Sequence, residues 1–387
     1  MPRLRLQPTV LVCLSLLSFV VLAAHARVSG APAADEPATT EYYVRVKSTV
    51  PAIAGQITPI YVRERAMASG ARQPAALADR VILFIHGAGT PAEVAYDVPY
   101  QDYSWMAYLA KAGFDVFAMD QTGYGRSARP FPMNDPCNLS AAQQAQFVPS
   151  LIPAPCTASY GQQATTLASD WNDIDGVVDY IRALRSVARI HLVGWSLGGP
   201  RAAGYAAQHA DKINKVVLLA PAYSPNASAT APATVPGNGA AFNTQTRADF
   251  DANWDRQIGC PGQVDPQARE TVWTNMLDSD PVARTWGPGA RRAPNTTTWG
   301  WNAAMAAQLK SPTLLVSGAH DAQVSPAGVM RLHSDLGAAS KVFVDLACSS
   351  HNALWEHNHL LLFQASREWF EKTTVNGQQS GVLKIGY

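Results

Sequence analysis

The chain has 387 residues, of which 47% are hydrophobic and 15% charged, and its formal net charge is +1. This composition is typical of a globular protein with one large domain carrying an insertion, or with two smaller domains. The near-neutral charge gives no electrostatic basis for binding nucleic acid or an anionic membrane, so we expect neither partner.

The first 26 residues have the features of an export signal. Arg3 and Arg5 precede an apolar run of 16 residues, TVLVCLSLLSFVVLAA, and Ala24-His25-Ala26 is an A-x-A cleavage site. This run is shorter than the ~20 residues that span a bilayer, so we expect no stable membrane anchor. We predict a signal peptide over 1–26, a flexible lead over 27–41 and a secreted or periplasmic protein.

Six apolar runs follow an opening pair of alternating segments. The alternation in YYVRVKS and ITPIYVRER predicts two antiparallel strands. The six runs are RVILFIHG, FDVFAMD, RIHLVGWS, KVVLLAPAY, TLLVSGAHD and KVFVDLACSSH. Such runs are typical of strands that are buried on both faces of a parallel sheet. Helical patterns lie between them at 104–112, 167–185 and 197–209, which predicts an α/β fold with a mostly parallel central sheet and helices on both faces.

Two stretches interrupt this alternation. Residues 128–165 are rich in proline and have no clear period, and residues 222–310 are far longer than a crossover requires. We predict a core of 42–221 and 311–372 and a C-terminal tail at 373–387. The cap, at 222–310, is inserted before the fifth apolar run, TLLVSGAHD. The cap holds five of the ten tryptophans, which either line an apolar pocket or form the cap's own core. These five are Trp254, Trp273, Trp286, Trp299 and Trp301.

Four cysteines remain once Cys13 leaves with the signal. An even number in an exported protein indicates two disulfides, for which three pairings are possible. Cys137 and Cys156 lie in one loop-like segment, which favours their pairing and leaves Cys260 with Cys348. No CxxC or Cys/His cluster has zinc spacing, so we expect no metal site.

The five residues GWSLG, at 194–198, lie between a predicted strand and a predicted helix. A sharp strand-to-helix turn needs very small neighbours, which Gly194 and Gly198 provide, and it exposes the hydroxyl of Ser196. The N–H of Leu197, at the start of the helix, can meet a developing oxyanion. Ser196 is therefore the candidate nucleophile.

A serine nucleophile needs an oriented base. Among the nine histidines, only His351 lies both late in the chain and on the loop beyond the carboxyl end of the sheet, since His357 and His359 fall in the helix predicted after it. Asp321 ends the fifth apolar run and is the candidate acid, in the order Ser196, Asp321, His351.

The second oxyanion donor is expected in the loop after the first long strand. HGAGTP (86–91) lies there, and the N–H of Ala88 is the preferred donor, with that of Gly89 as the alternative. His86 is expected to brace this loop and not to act as a base.

These motifs together resemble the α/β-hydrolase superfamily from about residue 42 to 371. The matching segments are FIHGAG, DQTGYGRS, GWSLGG, SGAHD and SSHNALWE. The resemblance implies an esterase- or lipase-like member, and it implies a structural role for Asp120, Gly123, Gly125 and Ser127. Related epoxide hydrolases and haloalkane dehalogenases use an aspartate nucleophile, and Ser196 argues against both activities.

The sequence therefore predicts an exported serine hydrolase that cleaves a small-molecule carboxylic ester without a cofactor or metal. An apolar or aromatic substrate is expected from the cap tryptophans. Amide, lactone or C–C hydrolysis, or acyl transfer to an alcohol, stays open as an alternative on the same site. A non-catalytic binding protein is the remaining alternative, and the sequence leaves the oligomeric state unknown.

Overall fold

The structure is a computed structural model that describes residues 36–67, 77–232 and 240–387, together with residue 2. The predicted signal peptide, apart from residue 2, and residues 27–35 of the predicted lead lie outside the described residues, as do residues 233–239 of the predicted cap.

The described residues form strands and helices in close alternation. The strands are β1 (Ala38–Lys47), β2 (Ile57–Ala66), β3 (Val81–Ile85), β4 (Asp115–Met119), β5 (Thr165–Thr166), β6 (Ile190–Trp195), β7 (Ile213–Leu219), β8 (Phe242–Thr246), β9 (Ala290–Pro294), β10 (Thr296–Thr297), β11 (Thr313–Gly318), β12 (Lys341–Leu346) and β13 (Ser380–Ile385). The helices are α1 (Ala92–Tyr96), α2 (Trp105–Lys111), α3 (Ala141–Ala145), α4 (Leu167–Arg185), α5 (Gly198–Gln208), α6 (Arg247–Asp255), α7 (Pro266–Asp278), α8 (Ala303–Ala306), α9 (Pro326–Asp335) and α10 (His359–Lys372).

Nine strands form the central sheet in the order β1-β2-β4-β3-β6-β7-β11-β12-β13. β2 runs antiparallel to both of its neighbours, and every later pair in the sheet is parallel. The opening antiparallel pair is thus confirmed, and the six apolar runs are the strands β3, β4, β6, β7, β11 and β12. The predicted fold class is confirmed.

Two apolar clusters cover the two faces of the sheet. One contains Trp105 of α2 and Trp369 of α10, and the other contains Ile174 of α4 and Leu332 of α9. Helix α4 begins at a reciprocal cap, in which the side chain of Thr166 accepts from the backbone of Ser169 and the side chain of Ser169 accepts from the backbone of Thr166. A strand buried on both faces needs such a layer on each side, which explains the continuous apolar runs.

The C-terminal segment does not end as a tail. Residues 380–385 form β13, which pairs in parallel with β12 at the edge of the sheet. Sequence patterning missed this strand because it is half exposed, with Gly381 and Lys384 interrupting the apolar residues. An edge strand of this kind lacks the continuous apolar run of a central one.

The insertion contains the antiparallel strand pair β8–β9, the helices α6 and α7 that connect these two strands, the short strand β10, which pairs with β5, and the short helix α8. The proline-rich segment 128–165 packs against it, since Met133 and Phe147 share an apolar cluster with Phe242 and Trp286. The two stretches that break the strand–helix alternation therefore form one layer. In the described parts of the chain, no helix is both long and apolar enough to cross a bilayer.

Both predicted disulfide pairings are confirmed. Cys137 bonds to Cys156 with a Cα–Cα distance of 5.2 Å, and Cys260 bonds to Cys348 with a Cα–Cα distance of 5.7 Å. The second bond joins the loop between α6 and α7 to the loop that follows β12.

Candidate active site

The turn between β6 and α5 holds Ser196 in a strained conformation. Its φ is 57°, in the left-handed region that non-glycine residues rarely adopt. A Cβ at Gly194 would overlap the carbonyl of Gly198, and a Cβ at Gly198 would overlap the carbonyl of Ile85. Both positions therefore require glycine, and the turn projects the serine beyond the end of the strand.

The loops after β11 and β12 bring Asp321 and His351 together. The Nδ1 atom of His351 lies 2.9 Å from Oδ2 of Asp321, and the two residues are 3% and 6% exposed. Oδ1 of Asp321 accepts from the backbone of Gln323 and of Val324, each at 2.8 Å, which fixes the carboxylate. Nε2 of His351 makes no hydrogen bond with the described residues and remains available for a substrate or nucleophile.

Ser196 and His351 line one cavity of about 180 Å³. No hydrogen bond joins their side chains within the described residues, and such contacts often tighten only when substrate binds. The ring of His351 packs against Trp195, whose Nε1 donates to the His351 carbonyl at 2.9 Å. The imidazole of His351 is thus held by the carboxylate of Asp321 on one side and by Trp195 on the other.

Two backbone N–H groups border the serine. The loop after β3 passes so close that a Cβ at Gly87 would lie 2.9 Å from Cβ of Ser196. Ala88 is exposed to the cavity, and Leu197 begins α5. In the described part of the chain, neither N–H donates to another residue. Gly89 is buried instead, with φ 81°.

His86 is engaged through both ring nitrogens. Nε2 accepts from the backbone of Gln121 at 3.0 Å, so Nδ1 carries the proton that it donates to the Gly87 carbonyl at 2.7 Å. Burial, with the nearby Arg201, lowers the pKa of His86 to about 3. A neutral imidazole with both nitrogens in use braces the loop and cannot accept a further proton.

Asp120 supports the same loop from the end of β4. Its carboxylate accepts from the backbone of Ala92 at 2.8 Å and of Arg126 at 2.9 Å, and a Cβ at Gly125 would overlap it. Burial raises the pKa of Asp120 to about 6. Ser127 donates to the Asp120 carbonyl at 2.7 Å. These contacts are between protein groups only, as a bracing role requires.

Cap residues contact both the loop that carries Asp321 and the loop that carries His351. Oε1 of Gln257 accepts from the backbone of Ala322 at 3.2 Å and of His351 at 3.4 Å. The buried carboxylate of Glu356 accepts from Trp254 of α6 and from Ser350, the residue before His351. The cap therefore takes part in positioning the imidazole.

The wall of the cavity contains apolar side chains, polar side chains and one guanidinium. Trp195, Phe250, Met276 and Trp355 form the apolar part, and Arg291 of β9 adds a guanidinium. The five cap tryptophans are absent from this wall. Trp254, Trp273, Trp286 and Trp301 are buried in the apolar clusters, so four of the five are core residues of the fold. In the described residues, no cluster of three or more His, Cys, Asp or Glu side chains could hold a metal.

Gln257, Glu356 and Arg291 have no sequence-based prediction. Glu356 offers a weak signal, because it is an acid that directly follows the apolar residues ALW. Gln257 and Arg291 offer none, since their neighbours in the site come from distant parts of the chain.

Comparison with known proteins assigns the fold a family. A family model described as alpha/beta hydrolase fold matches residues 80–358. Similar solved structures include the esterase RhEst1 from Rhodococcus sp. ECU1013, at 16% identity and TM-score 0.53, covering 86% of this chain and 99% of that chain. A thermophilic esterase from Thermogutta terrifontis matches at 16% identity and TM-score 0.50, covering 86% and 98% of the two chains.

A third similar structure is the serine hydrolase CCSP0084 from Cycloclasticus zankles, at 13% identity and TM-score 0.50, covering 86% of this chain and 98% of that chain. At such identities the likeness shows a shared fold alone. No curated protein sequence matches the chain significantly.

Proposed function

This chain belongs to the alpha/beta-hydrolase family and is a hydrolase, and from that premise we propose that it cleaves small carboxylic esters through an acyl-enzyme on Ser196, His351 and Asp321. One observation carries the proposal. Ser196, on a turn with φ 57°, faces the same cavity as His351, whose Nδ1 is bonded to Asp321 at 2.9 Å.

In the acylation half-reaction, Nε2 of His351 removes the proton of Ser196 as Oγ attacks the ester carbonyl carbon. The carbonyl oxygen becomes an oxyanion, which accepts from the N–H groups of Ala88 and Leu197. Asp321 keeps the proton of the imidazole on Nδ1 and stabilises the imidazolium. The C–O bond then breaks, and His351 returns the proton to the leaving alcohol.

Water enters in the deacylation half-reaction. His351 removes a proton from the water, which attacks the acyl carbon, and the same two N–H groups bind the second oxyanion. Collapse releases the acid and returns the proton to Ser196. No external oxidant, reductant or cofactor is needed for these steps.

The cavity favours a small substrate. Its volume of about 180 Å³ is little more than the ~150 Å³ of a cavity that binds benzene. The apolar group expected of the substrate would contact Trp195, Phe250, Met276 and Trp355, not the cap tryptophans. A short acyl or alcohol chain would therefore fit better than a long one.

A fluorophosphonate probe tests the nucleophile. Wild-type protein should be labelled on Ser196, and Ser196→Ala should lose both labelling and ester hydrolysis, the latter on the order of 10⁶-fold in kcat. Ser334→Ala, which alters an exposed serine on α9, is the matched control and should label normally. Labelling that survives Ser196→Ala would refute the assignment.

A series of p-nitrophenyl esters tests the reaction class. Acetate and butyrate esters should be cleaved with higher kcat/KM than the octanoate ester because of the cavity's volume. If Ser196 is labelled but no ester is turned over, the site performs one of the other serine acyl reactions and the ester proposal is wrong.

Export is part of the same proposal. The two disulfides support it, because such bonds persist mainly in oxidising compartments. Protein recovered from the periplasm or medium should begin at residue 27 by N-terminal sequencing and should lack free thiols. Recovery only from the cytoplasm, with reduced cysteines, would contradict export.

A further inference from the structure

The antiparallel strands β8 and β9 of the cap place three polar side chains on one face. Arg291 of β9 lies opposite Gln245 of β8, and Asn243 is two residues along the same strand. Nη1 of Arg291 donates to Asn243 Oδ1 at 2.9 Å, and both Nε and Nη2 donate to Gln245 Oε1 at 3.3 Å. The guanidinium is therefore held in place by two neutral amides.

Arg292, the next residue of β9, has the ion pair that is typical of a buried structural arginine. Arg292 points to the opposite face and is 2% exposed. Its guanidinium contacts both carboxylate oxygens of Asp280, at 3.0 Å from Nε and 2.7 Å from Nη2. Burial of a cation is normally offset by such a partner.

Arg291 has no such partner. Among the described residues, no carboxylate forms an ion pair with Arg291. Among the described residues that line the cavity, Arg291 is the one arginine or lysine. The internal segments 68–76 and 233–239, outside the described residues, contain no aspartate or glutamate. Burial lowers the pKa of Arg291 to about 10, so the guanidinium stays charged at neutral pH.

The guanidinium lies against the loop that carries the proposed oxyanion donor. A Cβ at Gly89 would overlap the guanidinium, with Cζ of Arg291 at 2.7 Å. The same loop meets Ser196 at Gly87. Two residues of extended chain span at most about 7 Å, which bounds the distance between the Cα atoms of Gly87 and Gly89. Because Ser196 lies beside Gly87 and the guanidinium lies beside Gly89, the nucleophile and the cation lie within the length of a small molecule.

We propose that Arg291 is a carboxylate-binding subsite of this active site, and that the preferred substrates are half-esters of short dicarboxylic acids. The inference rests on the proposed esterase function. Of the five N–H groups of a guanidinium, three are used by the two amides. One N–H on Nη1 and one on Nη2 remain for a ligand, and guanidinium N–H groups are preferred donors to a carboxylate.

The chemistry leaves the bound carboxylate unchanged. Water and the half-ester give the dicarboxylic acid and the alcohol, and the only bond broken is the ester C–O bond at the other end of the substrate. Succinate and glutarate, in which two or three methylene groups separate the ester carbonyl from the carboxylate, are the two lengths to compare.

Matched pairs of substrates test the inference. Monoethyl succinate is compared with ethyl 4-methylpentanoate, and monoethyl glutarate with ethyl 5-methylhexanoate, in which an isopropyl group replaces the carboxylate at the same size. The wild-type ratio of kcat/KM, charged over neutral, should be about 10² for the pair of better length. This comparison requires no variant and is independent of folding effects.

Variants then assign the preference to the guanidinium. Arg291→Met should lower the ratio about 10²-fold, and Arg291→Lys should lower it less, because lysine keeps the charge but loses the fork. Gln245→Glu supplies an internal counter-ion while retaining the arginine, and it should abolish the preference as well. Arg284→Met, which removes an exposed cap arginine, should keep the wild-type ratio.

A binding measurement separates carboxylate from other anions. Free glutarate should protect Ser196 from the fluorophosphonate probe in wild type and fail to protect in Arg291→Met. Equal protection by inorganic phosphate would overturn the carboxylate assignment.

The outcomes distinguish this inference from the proposed function. If Ser196 is labelled and the neutral esters are cleaved as well as the half-esters, only the carboxylate subsite is overturned. If no ester is cleaved, the proposed function fails and the subsite falls with it.

Discussion

The buried carboxylate of Glu356 links the cap by hydrogen bonds to the loop that carries the proposed base. It is 0% exposed and accepts four hydrogen bonds. Two come from Ser350, at 2.6 Å from N and 2.5 Å from Oγ. The others come from Trp254 Nε1 at 2.9 Å and Gln263 Nε2 at 3.1 Å. Since Ser350 precedes His351, we expect Glu356 to position the imidazole.

The substitution Glu356→Gln keeps the shape of the side chain and changes its hydrogen bonding. One oxygen becomes an N–H donor that faces a donor, and the remaining bonds lose their charge assistance. The uncompensated donor and the weakened bonds together cost about 2–5 kcal/mol of unfolding free energy. A displacement of His351 approaching 1 Å would lower kcat about 10–100-fold, with little change in KM.

The assay combines urea unfolding with kcat and KM on p-nitrophenyl butyrate at pH 8. A pH above neutral is chosen because burial raises the pKa of Glu356. Glu371→Gln, near the end of helix α10, is the control; its ion pairs with Arg80 and Arg367 are partly exposed and contribute at most about 1 kcal/mol. Full kcat in a destabilised Glu356→Gln would refute the positioning argument, and unchanged stability would refute the energetic one.

Three further predictions concern Asp321, Gly194 and Asp173. Asp321→Asn should lower kcat about 10⁴-fold with KM nearly unchanged, because the amide no longer holds the Nδ1 proton of His351; a loss below tenfold in steady-state kinetics would contradict this. Gly194→Ala should give little soluble protein on size exclusion, because the methyl overlaps the backbone of the following helix; a folded, active variant would disprove that close approach. Burial raises the pKa of Asp173 from 3.8 to about 7, so its folded state retains the proton, and wild-type stability falls as pH rises through this window. The melting temperature of Asp173→Asn relative to wild type should therefore increase between pH 5 and pH 8, and a constant difference would argue against the shifted pKa.

The sheet could be predicted from sequence because its signals are local. A strand buried on both faces needs a continuous apolar run, and six such runs are the six strands β3, β4, β6, β7, β11 and β12. The edge strand β13 was missed because a half-exposed strand has no such run. The same local logic applies to Gly194 and Gly198, whose spacing around Ser196 reflects the steric demand of one turn.

The proximity of some site residues could also be predicted from chain order alone. Asp321 and His351 end successive runs of a parallel sheet, and the carboxyl ends of parallel strands meet at one edge. Their 2.9 Å contact is therefore consistent with what topology predicts. The alternative roles of the cap tryptophans could not be resolved this way, because core and pocket positions have the same residue preference.

The sequence by itself determined the six central strands, the glycine-flanked turn and the positions of the proposed catalytic groups along the chain, since each depends on neighbours along the chain. Only the tertiary structure decided that Glu356 joins the cap to the loop of His351 and that, among the described residues, Arg291 forms no ion pair where Arg292 has one. Whether a buried charge is paired depends on which distant segments pack around it. For Arg291 and Arg292 this pairing depends on the register of β8 with β9, and for Glu356 it depends on the contact between cap and core. Neither can be read from one stretch of sequence.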